Sequence, residues 1–79
     1  MKLELYKFDS CPYCRKVMRA IDRSGRTDIE MKDIHKNPSD RTTLILVGGK
    51  EQVPCLFIDG KPLYESDDII QWLEQHPQE

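Results

Sequence analysis

The stretch VPCLFIDGKPLYE, residues 53–65, sets two apolar runs on either side of Asp59-Gly60. Asp-Gly is a pair preferred in two-residue hairpin turns, so the stretch reads as two short antiparallel strands. Beyond it, Ser66 is placed to cap a helix whose first turn carries Asp67 and Asp68, favourable beside the positive end of a helix dipole. Ile69, Ile70 and Leu73 supply that helix's buried face, and Pro77 follows its end. Before the hairpin, Asn37-Pro38 offers an N-cap and a first helical position, followed by SDRTTLILV and a stop at Gly48-Gly49. Leu44 to Val47 is an apolar run that fits a strand equally well; the flanking signals favour a helix.

The first third of the chain alternates in kind. KLELYKF (2–8) has the period-two pattern of a strand, and DIEMKDI (28–34) sets Ile29 and Met31 against charges in the same way. Between them Cys14, Val17, Met18 and Ile21 fall at i, i+3, i+4 and i+7, one apolar face of a helix from near Cys11 to Ser24-Gly25, with Pro12 in its first turn. The order is β-α-β-α-β-β-α. A right-handed crossover makes the first two strands parallel, and the hairpin adds an antiparallel edge. The expected fold is α/β: a central four-stranded mixed sheet with helices on both faces.

Composition narrows the function. The chain has 79 residues, enough for a single domain over 1–79, with 38% hydrophobic and 33% charged residues. A net charge of −2 gives no sign of a nucleic-acid or membrane-surface protein. No apolar run approaches the roughly 18 residues needed to span a bilayer. MKLELYKF alternates polar and apolar residues, unlike a signal-peptide core. Three cysteines are an odd, sparse set for a secreted disulfide scaffold, so a reducing cytoplasm is expected. A monomer is expected, with no nucleic acid and no membrane among its partners.

DSCPYCRK (9–16) holds two cysteines three apart, a spacing open to redox, metal and structural roles. Cys14 begins the apolar stripe and should be buried. Cys11 precedes the helix, where unpaired backbone N–H groups and the dipole stabilise a thiolate. Cys11 is therefore the expected exposed nucleophile, and Cys14 the sheltered resolving thiol that attacks a mixed disulfide on Cys11. A C-x-x-C between a strand and a helix of a βαβ unit favours the redox reading. Structural zinc wants four ligands, which Cys55, His35 and His76 would have to complete without a second paired motif; no metal is expected. His35 and His76 read as surface residues at element ends.

CPYC, Val-Pro before a strand and Ser-Asp-Asp opening the last helix occur here in one order, and together they resemble the glutaredoxin family over nearly the whole chain. The resemblance implies a thioredoxin-like fold and glutathione-dependent reduction of protein disulfides and glutathione mixed disulfides. Glutathione would be the reducing co-substrate, and disulfide-bearing or glutathionylated proteins the partners. It implies that Cys11 and Cys14 are the catalytic cysteines and that Tyr13 flanks bound glutathione. It implies that the Val53 backbone pairs with the tripeptide, that Pro54 is the cis-proline, and that Ser66 and Asp67 hold the γ-glutamyl end. From the residues alone, Pro54 is equally a proline at a strand start, and Ser66-Asp67-Asp68 equally a capping sequence.

Three positions depart from the family pattern. Gln52 stands where threonine is usual before Val-Pro. Tyr64-Glu65 replaces the usual Gly-Gly, and Glu65-Ser66 is similar to the pair in glutathione S-transferase N-terminal domains. Phe8 replaces a lysine commonly found three residues before the first cysteine, so the glycyl carboxylate either loses its usual partner or finds Lys7 or Lys50 instead. Cys55 reads as core packing, with a regulatory or glutathionylated thiol as the alternative. Trp72 reads as a packing residue. The alternatives to an oxidoreductase are a glutathione-ligated [2Fe-2S] cluster-binding module and a glutathione-binding interaction domain with little turnover.

Overall fold

A computed structural model describes residues 1–78. Strand β1 (Leu3–Lys7) lies inside a four-stranded sheet. It pairs in parallel with β2 (Ile29–Asp33), setting Leu5 opposite Met31 and Lys7 opposite Asp33. On its other edge it pairs antiparallel with β3 (Cys55–Ile58), setting Leu5 opposite Leu56. Strand β4 (Lys61–Leu63) completes the order β2-β1-β3-β4. The hairpin turn falls where expected: Asp59 and Gly60 have φ of 50° and 83°, both left-handed, as this turn requires. The turn is also tied to the start of the chain, since the Asp59 N–H donates to the Lys2 carbonyl at 2.8 Å and the Lys2 N–H to the Asp59 carboxylate at 2.7 Å.

Helix α1 (Pro12–Ser24) begins after Cys11 and ends at Gly25, whose φ of 71° suits the αL cap. Helix α2 (Pro38–Gly48) spans the apolar run Leu44–Val47, which is therefore helical; Gly49 caps it with φ 82°. Helix α3 covers Ser66–Gln75. One detail differs from the sequence reading. Glu65 is the N-cap of α3, and Ser66 is its first helical residue, buried at 7% exposure. Glu65 takes the extended backbone that a cap needs (φ −106°, ψ −165°), but its side chain makes no cap hydrogen bond. The first N–H groups of α3 are thus left without a capping side chain.

Period-two alternation in β1 and β3 divides the core. Leu3, Leu5 and Leu56 pack with Val17, Ile21, Ile69 and Leu73 beneath α1 and α3. Tyr6, Cys55 and Phe57 pack with Ile34 and Leu44 beneath α2, the Tyr6 and Phe57 rings 4.5 Å apart. Each fully buried leucine contributes about 1.5–3 kcal/mol relative to exposure. Trp72 packs at the edge of the first cluster and stacks on His76 at 4.2 Å.

Helix α2 shows how unevenly an apolar run can be used. Leu44 is fully buried and Leu46 is 77% exposed. In urea denaturation Leu44→Ala is expected to cost about 2–5 kcal/mol and Leu46→Ala less than about 0.5 kcal/mol. Equal losses at both positions would contradict the helical register.

Candidate active site

Strand β1 delivers the chain to a tight turn, in which the Cys11 N–H donates to the Phe8 carbonyl at 3.2 Å. Cys11 then serves as the N-cap of α1, with extended backbone (φ −78°, ψ 119°) and Pro12 next, whose missing N–H costs nothing in a first turn. Its side chain does the capping: the Cys14 N–H donates to the Cys11 sulfur at 3.4 Å. The sulfur thus accepts a backbone N–H at the N-terminus of α1. The expected exposure of Cys11 is corrected, because the turn encloses it to 6% exposure, against 0% for Cys14. The inequality of the two thiols is one of chemistry and depth within a closed turn.

Burial, followed by the hydrogen bond to the Cys11 sulfur, holds the Cys14 thiol protonated well above the ordinary thiol range. The Phe8 backbone and the Lys7 ammonium pull the other way. Lys7 itself is 8% exposed. Its Nζ donates to Asp9 at 2.7 Å and to Asp33 at 3.4 Å, and Lys36 reaches Asp9 at 3.0 Å. Burial works against the Lys7 charge, and the bonds to Asp9 and then Asp33 outweigh it, so its pKa is raised. Lys7 is thus paired with these two carboxylates. Lys50 lies with its Nζ 4.5 Å from the centre of the Tyr64 ring.

A groove of about 590 Å³ that takes in Tyr13, between the two cysteines in sequence, but neither cysteine itself is lined by Tyr13, Gln52, Val53, Pro54, Glu65, Ser66, Asp67 and Asp68. It brings together every non-cysteine residue assigned to the site from sequence: Tyr13, Val53, Pro54, Ser66 and Asp67. The Val53–Pro54 peptide bond is cis. Tyr13 is 65% exposed on the rim. Asp67 pairs with Lys16 of α1, which lines the neighbouring groove between α1 and α3. Gln52, Glu65, Asp68 and Lys16 were not singled out as site residues. The first three adjoin assigned positions in sequence, and that adjacency was the available signal. Lys16 is brought in only by the packing of α1 against α3. A second groove, of about 570 Å³ between α1 and α3, includes Ala20, Ile70 and Leu73 and holds no cysteine.

Cys55 is fully buried and packs in the α2-side cluster. The sheet therefore separates it from Cys14, whose stripe-mates Val17 and Ile21 pack on the α1 side. Burial raises its pKa, opposed by the Tyr64 hydroxyl. Tyr64 in turn is pushed up to about 12 by burial and then by Cys55, and its hydroxyl donates to the Gly48 carbonyl at 3.2 Å. Core packing is the role this placement supports. His35 is exposed and stacks on Phe8 at 4.1 Å; His76 is also exposed.

The profile of the glutathione S-transferase N-terminal domain matches residues 5–79. Glutaredoxin-C4 of Arabidopsis thaliana is 33% identical over 76 residues, which cover 92% of this chain and 56% of that protein. Glutaredoxin 3 of Escherichia coli K12 is 30% identical over 67 residues, covering 85% of this chain and 80% of that protein. Among solved structures, glutathione transferase Omega 3C from Trametes versicolor superposes with a TM-score of 0.79 at 25% identity, over 95% of this chain and 33% of that one. The fold is thioredoxin-like, as the resemblance implied.

The carboxylates around Lys7 make a pH prediction. Hydrogen bonds from Lys7 and then Lys36 hold the Asp9 pKa at about 2, below the ordinary carboxylate value. A depressed folded-state pKa contributes stability that is complete above the unfolded-state value of about 4. That stability is lost as pH falls through about 2. Urea midpoints measured from pH 5 down to pH 2.5 should therefore fall more steeply in the wild type than in Asp9→Asn. Asp9 is exposed, so added salt should narrow the difference. Parallel curves would remove Asp9 from the network.

Proposed function

The chain belongs to the glutaredoxins and, through the profile that spans it, to the glutathione S-transferase N-terminal domains, and from this membership we propose that it is a glutathione-dependent thiol–disulfide oxidoreductase working through Cys11 and Cys14. The observation that carries the reading is the Cys11 sulfur, capped by the Cys14 N–H at 3.4 Å, together with a groove that gathers Tyr13, Val53, Pro54, Ser66 and Asp67. The single domain 1–79, a monomer in a reducing cytoplasm, is the form in which this activity is proposed. Among the described residues no helix is long and apolar enough to cross a membrane.

In the proposed reaction the Cys11 thiolate attacks the glutathione sulfur of a glutathionylated protein. A Cys11–glutathione disulfide forms, and the protein leaves as its thiolate and takes a proton. A second glutathione thiolate then attacks the glutathione sulfur of that mixed disulfide, releasing glutathione disulfide and regenerating Cys11. With a protein disulfide as substrate, Cys11 forms the mixed disulfide with the protein, and Cys14 attacks the Cys11 sulfur to release it. Two glutathiones then reduce the Cys11–Cys14 disulfide and leave as glutathione disulfide. The tripeptide lies in the groove with its backbone along Val53. Its γ-glutamyl carboxylate meets the uncapped N–H groups of α3, and its ammonium meets Asp67 in exchange for Lys16.

A second reading has its own support. Glu65-Ser66 and the matching transferase profile favour a module that binds glutathione with little turnover. Turnover of a glutathionylated peptide with glutathione, glutathione reductase and NADPH separates the two. Wild type should turn over. Cys11→Ser should lose at least about a hundredfold, since the attacking sulfur is gone. Cys14→Ser should keep activity on the glutathionylated peptide and lose it on protein disulfides. Glutathione binding by calorimetry without turnover would favour the second reading. Asp67→Ala should raise KM for glutathione about five- to fiftyfold with little change in kcat, the pattern of a lost charge-assisted contact made equally in ground and transition states.

A further inference from the structure

The charges around the Cys11 turn leave one cation over. Lys7 and Lys36 are met by Asp9 and Asp33, two positive charges against two negative. Arg15 is exposed on α1, and among the described residues its side chain makes one hydrogen bond, from Nε to the Asp9 carbonyl at 2.9 Å. That bond fixes the root of the guanidinium on the turn that the Cys11 N–H closes. The terminal nitrogens, a planar fork suited to a carboxylate, are left for another partner. Arg15 also lies on the flank of α1 away from the glutathione groove. Tyr13 lines that groove, and Ala20, two turns on along the same face, lines the groove against α3. Arg15, two positions after Tyr13, stands about 200° round the helix from it. The sheet places the two flanks in the same way. Val53-Pro54 leads into β3 on one side of β1, whereas Asp9 is bonded to Lys36, which follows β2 on the other.

We propose that Arg15 is a specificity-determining residue on the protein side of the site: its guanidinium, anchored on the Asp9 carbonyl, favours substrates with an acidic side chain next to the glutathionylated cysteine. The inference rests on the oxidoreductase reading and names the substrate class within it. With the tripeptide filling the groove on the α3 flank, the protein that carries it has the Asp9–Arg15 flank to lie over. There an acidic side chain meets a cation that no carboxylate of the turn has matched, and a lysine is repelled. The Asp9 carboxylate does not turn the acid away, because Lys7 and Lys36 already hold it. Arg15 takes no part in the sulfur exchange itself. The Cys11 sulfur bonds to the glutathione sulfur, and the protein leaves as its thiolate and takes a proton, whichever side chains flank it.

The test uses three glutathionylated peptides that differ only in the residues on both sides of the modified cysteine: Glu, Gln or Lys. Turnover with glutathione, glutathione reductase and NADPH is followed at low salt, where exposed charges are least screened. The quantity read is kcat/KM for the Glu peptide divided by that for the Lys peptide. Comparing one pair of peptides across variants removes their intrinsic reactivities from the result. An exposed charge pair is worth up to about fivefold, and Arg15→Gln loses both the attraction to Glu and the repulsion of Lys. The ratio should therefore fall about three- to twentyfold in Arg15→Gln and further in Arg15→Glu. Arg15→Lys, which keeps the charge, should retain a preference for the Glu peptide. Arg23→Gln, the same loss of charge further along α1, should keep the wild-type ratio to within about twofold. A ratio that Arg15→Gln leaves in place, or that Arg23→Gln lowers equally, overturns the role of Arg15 and leaves the oxidoreductase reading intact. A mere fault in the turn belongs with that outcome, since it slows the Gln peptide as much as the other two. A wild-type protein that turns over none of the peptides overturns the oxidoreductase reading and the proposal with it.

Discussion

Strand β1 is hydrogen-bonded along both edges and has buried residues on both faces, and the chemistry of this chain hangs from its C-terminal end. A strand held on four sides has no freedom of register, because a slip of one residue would carry Leu5 out of one core and Tyr6 out of the other. The turn that follows inherits that fixity. The Cys11 N–H closes on the Phe8 carbonyl, and α1 starts at the next residue with the sulfur as its cap. The distance from the last strand residue to the first cysteine is four positions, too short for the dithiol to move independently of the sheet. Precision at Cys11 is thus a property of the central strand.

The second half of the site is assembled differently. Val53-Pro54 enters β3, and Glu65-Ser66 enters α3, so the groove wall is made where elements begin. Backbone groups at such places lack the partners that regular structure supplies further on. The uncapped N–H groups of α3 are the clearest case: Glu65 holds the cap position without offering its oxygen. Two helix N-termini, of α1 and α3, therefore face one region, and both dipoles favour negative charge there. The acidic side chains Asp67 and Asp68 offset this on the rim, and Lys16 crosses from α1 to meet Asp67. The groove consequently offers separate places for anion and cation, which suits a zwitterionic γ-glutamyl group better than a simple carboxylate.

Most of the fold was legible because its cues are local. Asp59-Gly60 specifies its own turn, Gly25 and Gly49 end their helices with left-handed backbone, and the stripe from Cys14 to Ile21 states a period. The groove was legible at five positions only through the resemblance; Pro54 read on its own is a proline at a strand start. What local cues missed was set by packing across the sheet. The cap of α3 shifted by one residue because the chain entering from β4 gives Glu65 the extended backbone. Cys11 proved enclosed because the tight turn folds over it. Lys16 reaches Asp67 through the contact of two helices, which no spacing in the sequence announces.

Lys7 carries the same lesson into the chemistry. The alternation of Leu3 and Leu5 already assigned it to the α1 face, yet a lysine invites the expectation of a solvent-seeking side chain. Burial of its ammonium is tolerated because Asp9 and Asp33 are there to receive it, with Lys36 balancing the second carboxylate. The four charges sum to zero, so the network as a whole exerts little field at long range. The departures from the glutaredoxin pattern at Gln52 and Glu65 line the groove. The dithiol, its helix and the buried charges behind it are untouched by those changes. Gln52 and Glu65 therefore bear on what lies in the groove, whereas the third departure, Phe8, stands in the turn whose carbonyl receives the Cys11 N–H.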